Sequence, residues 1–120
     1  MATILIIEDS KFALLRLTKL FQEAGHEVVG GVMQSEHALE HYKSLKPQLV
    51  SLDHMMDIKS GEEVLEEIID YDPNAKVVMI SGSSDTSLPE RVLKAGASAF
   101  VLKFDSQAEI LDALDRALSG

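Results

Sequence analysis

The chain has 120 residues, and its 20 acidic and 11 basic side chains give a net charge of −9. This length suits one ordinary domain, the charge argues against binding to a nucleic-acid backbone, and the lack of cysteine excludes disulfides and Cys-based zinc sites. The amino-terminal apolar run is too short for a signal or a membrane span, so we expect a cytoplasmic protein with no direct nucleic-acid or membrane partner.

Short apolar runs alternate with helical patterns along the chain. The runs predict five buried strands, at Thr3–Ile7, Glu27–Met33, Gln48–Leu52, Lys76–Ile80 and Ala99–Leu102. Apolar residues at helical spacing predict five helices, at about Lys11–Ala24, from a cap at Ser35 to Leu45, at Gly61–Tyr71, from Pro89 to Ala95, and from a cap at Ser106 to Leu118.

Strict alternation of strands and helices predicts an α/β fold. Strands that are apolar throughout are covered on both faces, which is typical of a parallel sheet between two helical layers. Five strands are too few for the eight-stranded barrel, so we predict a doubly wound, five-stranded parallel sheet of order 2-1-3-4-5. The pattern occupies residues 1–120 without a linker or repeat, so we expect a single domain and no effector domain in this chain.

Acidic residues follow two strands that are neighbours in this order. Glu8 and Asp9 follow the first strand and Asp53 follows the third. Open parallel sheets bind their ligands at the carboxyl ends of the strands, so the three carboxylates should share one crevice, where a Mg²⁺ ion would offset their repulsion. Ser81 and Lys103 end the fourth and fifth strands, and the whole set suits phosphoryl transfer to a carboxylate.

These residues carry a resemblance over essentially the whole chain. The chain resembles the receiver domains of bacterial two-component response regulators, which have the flavodoxin-like fold of the CheY type. The matching features are the pair Glu8-Asp9, the loop from Asp53 through Met56 to Gly61, Ser81-Gly82, Phe100, Lys103 and the segment Lys94–Ala97.

The resemblance implies a phosphorylation site on Asp53. It makes Glu8, Asp9, Asp53 and the backbone carbonyl of Met55 the ligands of a Mg²⁺ cofactor, and Lys103 the contact of the phosphoryl group. The phosphoryl donor would be a sensor histidine kinase or a phosphotransfer protein. Such a domain is a phosphoacceptor that assists its own phosphorylation and dephosphorylation, and not an enzyme with a separate substrate.

The resemblance also implies a two-state surface. Ser81 would be the switch hydroxyl, and Phe100 the aromatic side chain that turns inward when Ser81 moves to the phosphoryl group. Phosphorylation would then change the surface of the fourth helix, fifth strand and fifth helix, which regulates a downstream protein partner. The sequence names neither the kinase nor the target, and homodimerisation through the fourth and fifth helices is possible in this family.

Two positions depart from the usual pattern of the family. Asp57 and Phe104 stand where prolines are common, four residues after the phosphoacceptor and directly after the lysine. We expect Asp57 to face solvent and not the metal. A cis bond before a residue other than proline costs about 3 kcal/mol, so we predict a trans Lys103–Phe104 bond or a shifted loop.

Other readings stay open at this point. The departures at Asp57 and Phe104 also fit a degenerate receiver that acts as a phosphorylation-independent interaction module. A flavin-binding protein would need a Ser/Thr/Gly-rich loop after the first strand, and an aspartyl phosphohydrolase would need an acid where Met55 stands. His54 follows Asp53 and is interpreted as a neutral bystander, with control of water access to a phosphoaspartate as the other hypothesis.

Overall fold

A computed structural model describes residues 1–120. The five strands are β1 Thr3–Ile7, β2 Glu27–Val32, β3 Leu49–Asp53, β4 Val77–Ser81 and β5 Ala99–Leu102. The helices are α1 Lys11–Glu23, α2 Ala38–Leu45, α3 Gly61–Tyr71, α4 Leu88–Lys94 and α5 Gln107–Ser119, and a 3₁₀ turn at Ser35–His37 precedes α2. None of these helices is both long and apolar enough to cross a membrane.

The five strands form one parallel sheet of order β2-β1-β3-β4-β5, as predicted. Successive β1 residues point to opposite faces of the sheet, so its apolar run serves two cores. Leu5 and Ile7 pack in a core that includes residues of α2, α3 and α4, whereas Ile4 and Ile6 pack in a core with α1 and α5. Burial on both faces explains why the strands read as continuous apolar runs.

The boundaries of α3 arise from local chemistry. The Ser60 hydroxyl accepts a hydrogen bond from the Glu63 amide (3.2 Å), and the Glu63 carboxylate accepts one from the Ser60 amide (3.2 Å). This reciprocal capping box satisfies two donors that the first helical turn leaves free. The helix therefore begins at Gly61, as the sequence predicted.

The start of the second helix was predicted wrongly. Ser35 does not cap α2, because its side chain is directed to the loop after β3 instead. Its hydroxyl donates to the carbonyl of Asp57 (2.5 Å) and accepts from the amide of Lys59 (3.0 Å). A serine that looked like a local helix cap thus fastens the loop that follows Asp53.

Candidate functional site

The strand register brings the acidic residues together. Ile7 of β1 lies opposite Leu52 of β3, so the next residue of each chain segment, Glu8 and Asp53, projects from the same point of the carboxyl edge. Glu8 and Asp53 are buried, with 1% and 3% of their surface exposed, and Asp9 is partly buried. Carboxylate oxygens of the three residues lie within 4.8 Å of one another, so the structure confirms the predicted cluster.

Lys103 is the cation of this cluster. Its Nζ lies 3.1 Å from Glu8 Oε1 and 3.2 Å from Asp53 Oδ1. The Lys103 amide donates to the carbonyl of Ser81 (2.8 Å), which extends the pairing of β4 with β5 and directs the side chain over the edge. All peptide bonds are trans, including Lys103–Phe104, as predicted, and Lys103 still reaches both acids.

Burial and crowding shift the protonation equilibria of the site. Burial raises the pKa of Glu8, and the neighbouring carboxyl group of Asp53 raises it further. Burial also raises the pKa of Asp9, helped by the neighbouring Glu8. Burial alone lowers the pKa of Lys103, but attraction by Asp53 and Glu8 outweighs it, so the pKa is raised and the lysine stays charged. One ammonium group therefore faces three carboxyl groups.

Asp53 Oδ2 is buried and has no hydrogen-bond partner. A buried, unpartnered carboxylate oxygen is costly, and it points to a ligand that completes the site. The donors are hard oxygen atoms, which Mg²⁺ and Ca²⁺ prefer, and the cluster could hold such an ion. The carbonyls of His54 and Asp57 accept hydrogen bonds, whereas that of Met55 accepts none and is free to serve as a further ligand.

Gly61 is required by a close approach of the backbone. A Cβ atom at this position would lie 2.3 Å from the carbonyl oxygen of Asp53 and 2.7 Å from Cα of His54. The Gly61 amide also donates to the carbonyl of His54 (2.7 Å). The start of α3 thereby rests directly on the strand end that presents Asp53, which gives the Asp53-to-Gly61 spacing a structural reason.

Ser81 lies on β4, the strand next to that of Asp53, and Phe100 lies on β5, on the far side of β4. Ser81 is fully buried, and its hydroxyl accepts a hydrogen bond from the Ser83 amide (2.9 Å). Phe100 lies opposite Met79 in the β4–β5 ladder and is half-buried against the core that includes α2, α3 and α4. Both residues occupy the predicted positions, and their roles in switching stay predictions.

The two departures from the family pattern both face water. Asp57 is exposed, as expected, and contributes its backbone carbonyl to Ser35. Phe104 is 90% exposed, and its ring passes 3.9 Å from the point where a Gly82 Cβ atom would stand. Neither residue belongs to the carboxylate cluster.

His54 has more structural partners than the sequence indicated. Its Nε2 lies 3.1 Å from Glu62 Oε1, and its Nδ1 is buried without a partner. Glu62 also binds Arg91 of α4, through two nitrogen–oxygen contacts of 3.0 and 3.3 Å. The acidic first turn of α3 was a visible signal for a contact with His54, whereas nothing in the local pattern indicated Arg91.

A family model of the response regulator receiver domain matches residues 4–115. The chain belongs to the response regulator receiver domain family. Receiver domains are the regulatory modules of two-component signalling, so the predicted family, fold class and signalling role are confirmed.

Relatives of similar length support this assignment. The chain is 33% identical over 113 residues to the chemotaxis protein CheY of Thermotoga maritima, with 94% of each chain covered. It is 30% identical over 118 residues to protein CcdB of Bacillus subtilis, with 98% of each covered. It is also 31% identical to CheY in a Borrelia burgdorferi complex of CheX, CheY, beryllofluoride and Mg²⁺, with a TM-score of 0.89 over 93% of this chain and 85% of that one.

Proposed function

We propose that this receiver domain is a phosphorylation-dependent switch in which Asp53 accepts a phosphoryl group from a phosphohistidine of a partner kinase or phosphotransfer protein. The observation that carries the proposal is Asp53 Oδ2, a buried carboxylate oxygen without a partner beside a lysine and two further acids. The second oxygen, Oδ1, is held by Lys103, so the free oxygen is the nucleophile.

The proposed phosphoryl transfer forms one bond and breaks one. Asp53 Oδ2 forms a bond to phosphorus as the phosphorus–nitrogen bond to the donor imidazole breaks, and the imidazole takes a proton from water. Lys103 offers its ammonium group to the negative oxygens of the phosphoryl group. Asp53 is consumed once per activation, so the protein is a signalling switch and not an enzyme that turns over a separate substrate.

Glu8, Asp9, Asp53 and the carbonyl of Met55 are the residues that would hold Mg²⁺. Bound there, the ion neutralises charge on the phosphoryl oxygens and on the crowded carboxylates. The similarity to a CheY that crystallised in a complex with beryllofluoride and Mg²⁺ supports Mg²⁺ as the ion. Asp57 has no place in it, because its side chain is exposed outside the cluster.

The output surface comprises α4, β5 and α5. Moving a two-state surface from mostly inactive to mostly active takes a differential of about 5 kcal/mol. A phosphoryl group that brings about two negative charges next to Lys103 is a strong enough perturbation to supply it. Ser81 would leave the Ser83 amide for a phosphoryl oxygen, and Phe100 would turn inward behind it, which changes the surface that a downstream protein reads.

Phosphorylation by acetyl phosphate tests the proposal directly. With Mg²⁺, intact-mass spectrometry should show the gain of one phosphoryl group on the wild-type protein and on Asp57→Asn, an exposed acid in the same loop. Asp53→Asn should gain none. Phosphorylation of Asp53→Asn would assign the acceptor elsewhere.

The same experiment separates the switch from an interaction module. A phosphorylation-independent module would leave wild-type protein unmodified and its surface unchanged by beryllofluoride with Mg²⁺. The intact set of Glu8, Asp9, Asp53 and Lys103 disfavours that alternative, because a module without this chemistry has no need of a buried oxygen that lacks a partner.

A further inference from the structure

Arg91 of α4 connects two segments that border the proposed site. Its Nε and NH2 atoms bind the two oxygens of Glu62 on α3, at 3.3 and 3.0 Å. Its NH1 atom binds Asp85 Oδ2 (3.0 Å) and Ser87 Oγ (2.6 Å) in the loop between β4 and α4. A planar guanidinium group with five donors can hold both oxygens of Glu62 in a two-pronged contact and still bind Asp85, whereas a lysine lacks the planar fork for the two-pronged contact.

One arm of this connection reaches the phosphoacceptor strand. Glu62 Oε1 also lies 3.1 Å from Nε2 of His54, and His54 directly follows Asp53. The His54 side chain is largely buried, and the His54 carbonyl accepts from the Gly61 amide (2.7 Å). Glu62 is therefore attached to the largely buried residue that follows the phosphoacceptor.

The other arm reaches the proposed switch hydroxyl. Asp85 Oδ1 accepts from the Ser87 amide (2.9 Å) and hydroxyl (2.7 Å), and the Asp85 amide donates to Ser83 Oγ (3.1 Å). The Ser83 amide in turn donates to Ser81 Oγ (2.9 Å). Hydrogen bonds thus run from Arg91 through Asp85 and Ser83 to Ser81.

This arrangement keeps Ser81 occupied within its own loop. The Ser81 hydroxyl is bound by the Ser83 amide, and Asp53 Oδ2 has no hydrogen-bond partner, so the hydroxyl does not contact that oxygen. The Ser83 amide occupies an acceptor site of this hydroxyl and fixes the position of Oγ, so a movement of the hydroxyl to a phosphoryl group on Asp53 disturbs the contact with Ser83. That disturbance reaches Asp85 through Ser83, and Arg91 resists it because it joins Asp85 to Glu62 of α3.

We infer that Arg91 is a positioning residue that holds the β4–α4 loop, through its joint contacts with Glu62 and Asp85, in the arrangement that keeps Ser81 away from Asp53. This inference rests on the proposed function and adds the element that opposes switching. Activation breaks the Arg91–Asp85 contact and leaves the Arg91–Glu62 contact in place, since the latter joins two helices. Exposed ion pairs are individually weak, so the effect on the equilibrium is several-fold and not all-or-none.

The test compares beryllofluoride binding with Mg²⁺ in matched variants by ¹⁹F NMR titration. Arg91→Met and Asp85→Asn should each bind about two- to fivefold more tightly than wild type, because the opposing contact is lost. Lys43→Met is the control, since Lys43 is an exposed cation of α2, over the ring of Tyr71 (4.7 Å), and its removal should leave the affinity unchanged. Urea unfolding of each variant verifies that it is folded.

Equal or weaker binding by folded Arg91→Met and Asp85→Asn would overturn the inference. Failure of the proposed function is distinguishable, because wild type and Lys43→Met would then bind no beryllofluoride. In that case amide hydrogen exchange without any ligand still tests whether Arg91 holds the loop between β4 and α4. Ser83 and Asp85 amides should exchange at least about threefold faster in Arg91→Met than in Lys43→Met, and equal exchange would show that Arg91 does not hold the loop.

Discussion

Polar groups at the two edges of the sheet have different surroundings. At the amino edge, Lys76 Nζ donates to the carbonyls of Ala117 (3.0 Å) and Gly120 (2.8 Å) at the end of α5. There also, Thr3 and Gln48 exchange backbone-to-side-chain hydrogen bonds of 2.9 Å in both directions. At the carboxyl edge, by contrast, three acids share one lysine, and Asp53 Oδ2 is buried without a partner.

The two edges of the sheet make opposite contributions to the free energy of the folded state. Hydrogen-bonded groups at the amino edge close helix and strand ends and stabilise the folded chain. Crowded carboxylates at the carboxyl edge raise the free energy of the folded state until a cation or a phosphoryl group compensates them. Chemically matched substitutions at the two edges should therefore change the free energy of unfolding by different amounts or in opposite directions.

Removal of the lysine at each edge should have the largest effect. Lys103→Met leaves two buried acids without their cation, and we expect the free energy of unfolding without Mg²⁺ to fall by about 2–3 kcal/mol. Lys76→Met only uncovers carbonyls near the end of α5, and a loss of about 1 kcal/mol is expected. Urea unfolding measures both, and equal losses would contradict the proposed contrast.

Neutralising an acid at each edge should have opposite signs. Asp53→Asn removes a buried charge that shares one lysine with Glu8, so the metal-free protein should become more stable by about 1 kcal/mol. Asp72, near the amino edge, accepts from the Tyr42 hydroxyl (2.7 Å) and the Asn74 amide (3.1 Å). Asp72→Asn weakens those bonds and should cost about 1 kcal/mol. Destabilisation by both changes in urea would argue against electrostatic strain at Asp53.

The loop after Asp53, at the carboxyl edge of the sheet, also contains a strained backbone position. Ile58 is a β-branched residue with φ of 67°, in the left-handed region, and its side chain is 77% exposed. Ile58→Gly should relieve this strain without losing packing, and the unfolding midpoint should rise by the equivalent of about 0.5–1 kcal/mol. Ile58→Ala keeps the unfavourable φ and serves as the control, for which no such gain is expected.

The smallest predicted effect is on stability at acidic pH, and it arises from the contacts of Arg91. Hydrogen bonds from Arg91 lower the pKa of Glu62, and Ser87 together with Arg91 lowers that of Asp85 to about 2. Acids with lowered pKa stabilise the fold above their unfolded-state values, and this contribution disappears as pH falls through the folded-state values. Wild type should therefore lose more stability than Arg91→Met between about pH 5 and pH 2 in urea titrations. Parallel stability curves would show that the two acids gain nothing from Arg91.

Much of the fold follows from patterns that are local in the chain. The alternation of apolar runs and helical spacing predicted the sheet order, because parallel strands need helical crossovers and buried faces. The α3 boundaries were predicted correctly, since Ser60 and Glu63 form their capping box within one turn. Acids at strand ends predicted the cluster at the carboxyl edge, because neighbouring parallel strands bring their ends together.

Other features depend on contacts between distant residues and leave no periodic trace. Ser35 carries the same local signature as a helix cap, and only the packing of the β3–α3 loop beside it gives its hydroxyl other partners. Arg91 meets Glu62 across 29 residues of sequence. The sequence by itself determined which chemical groups stand at the ends of the strands. The tertiary structure alone decided which of them are paired and which oxygen of Asp53 is left without a partner, because hydrogen bonding depends on distances that no local pattern encodes.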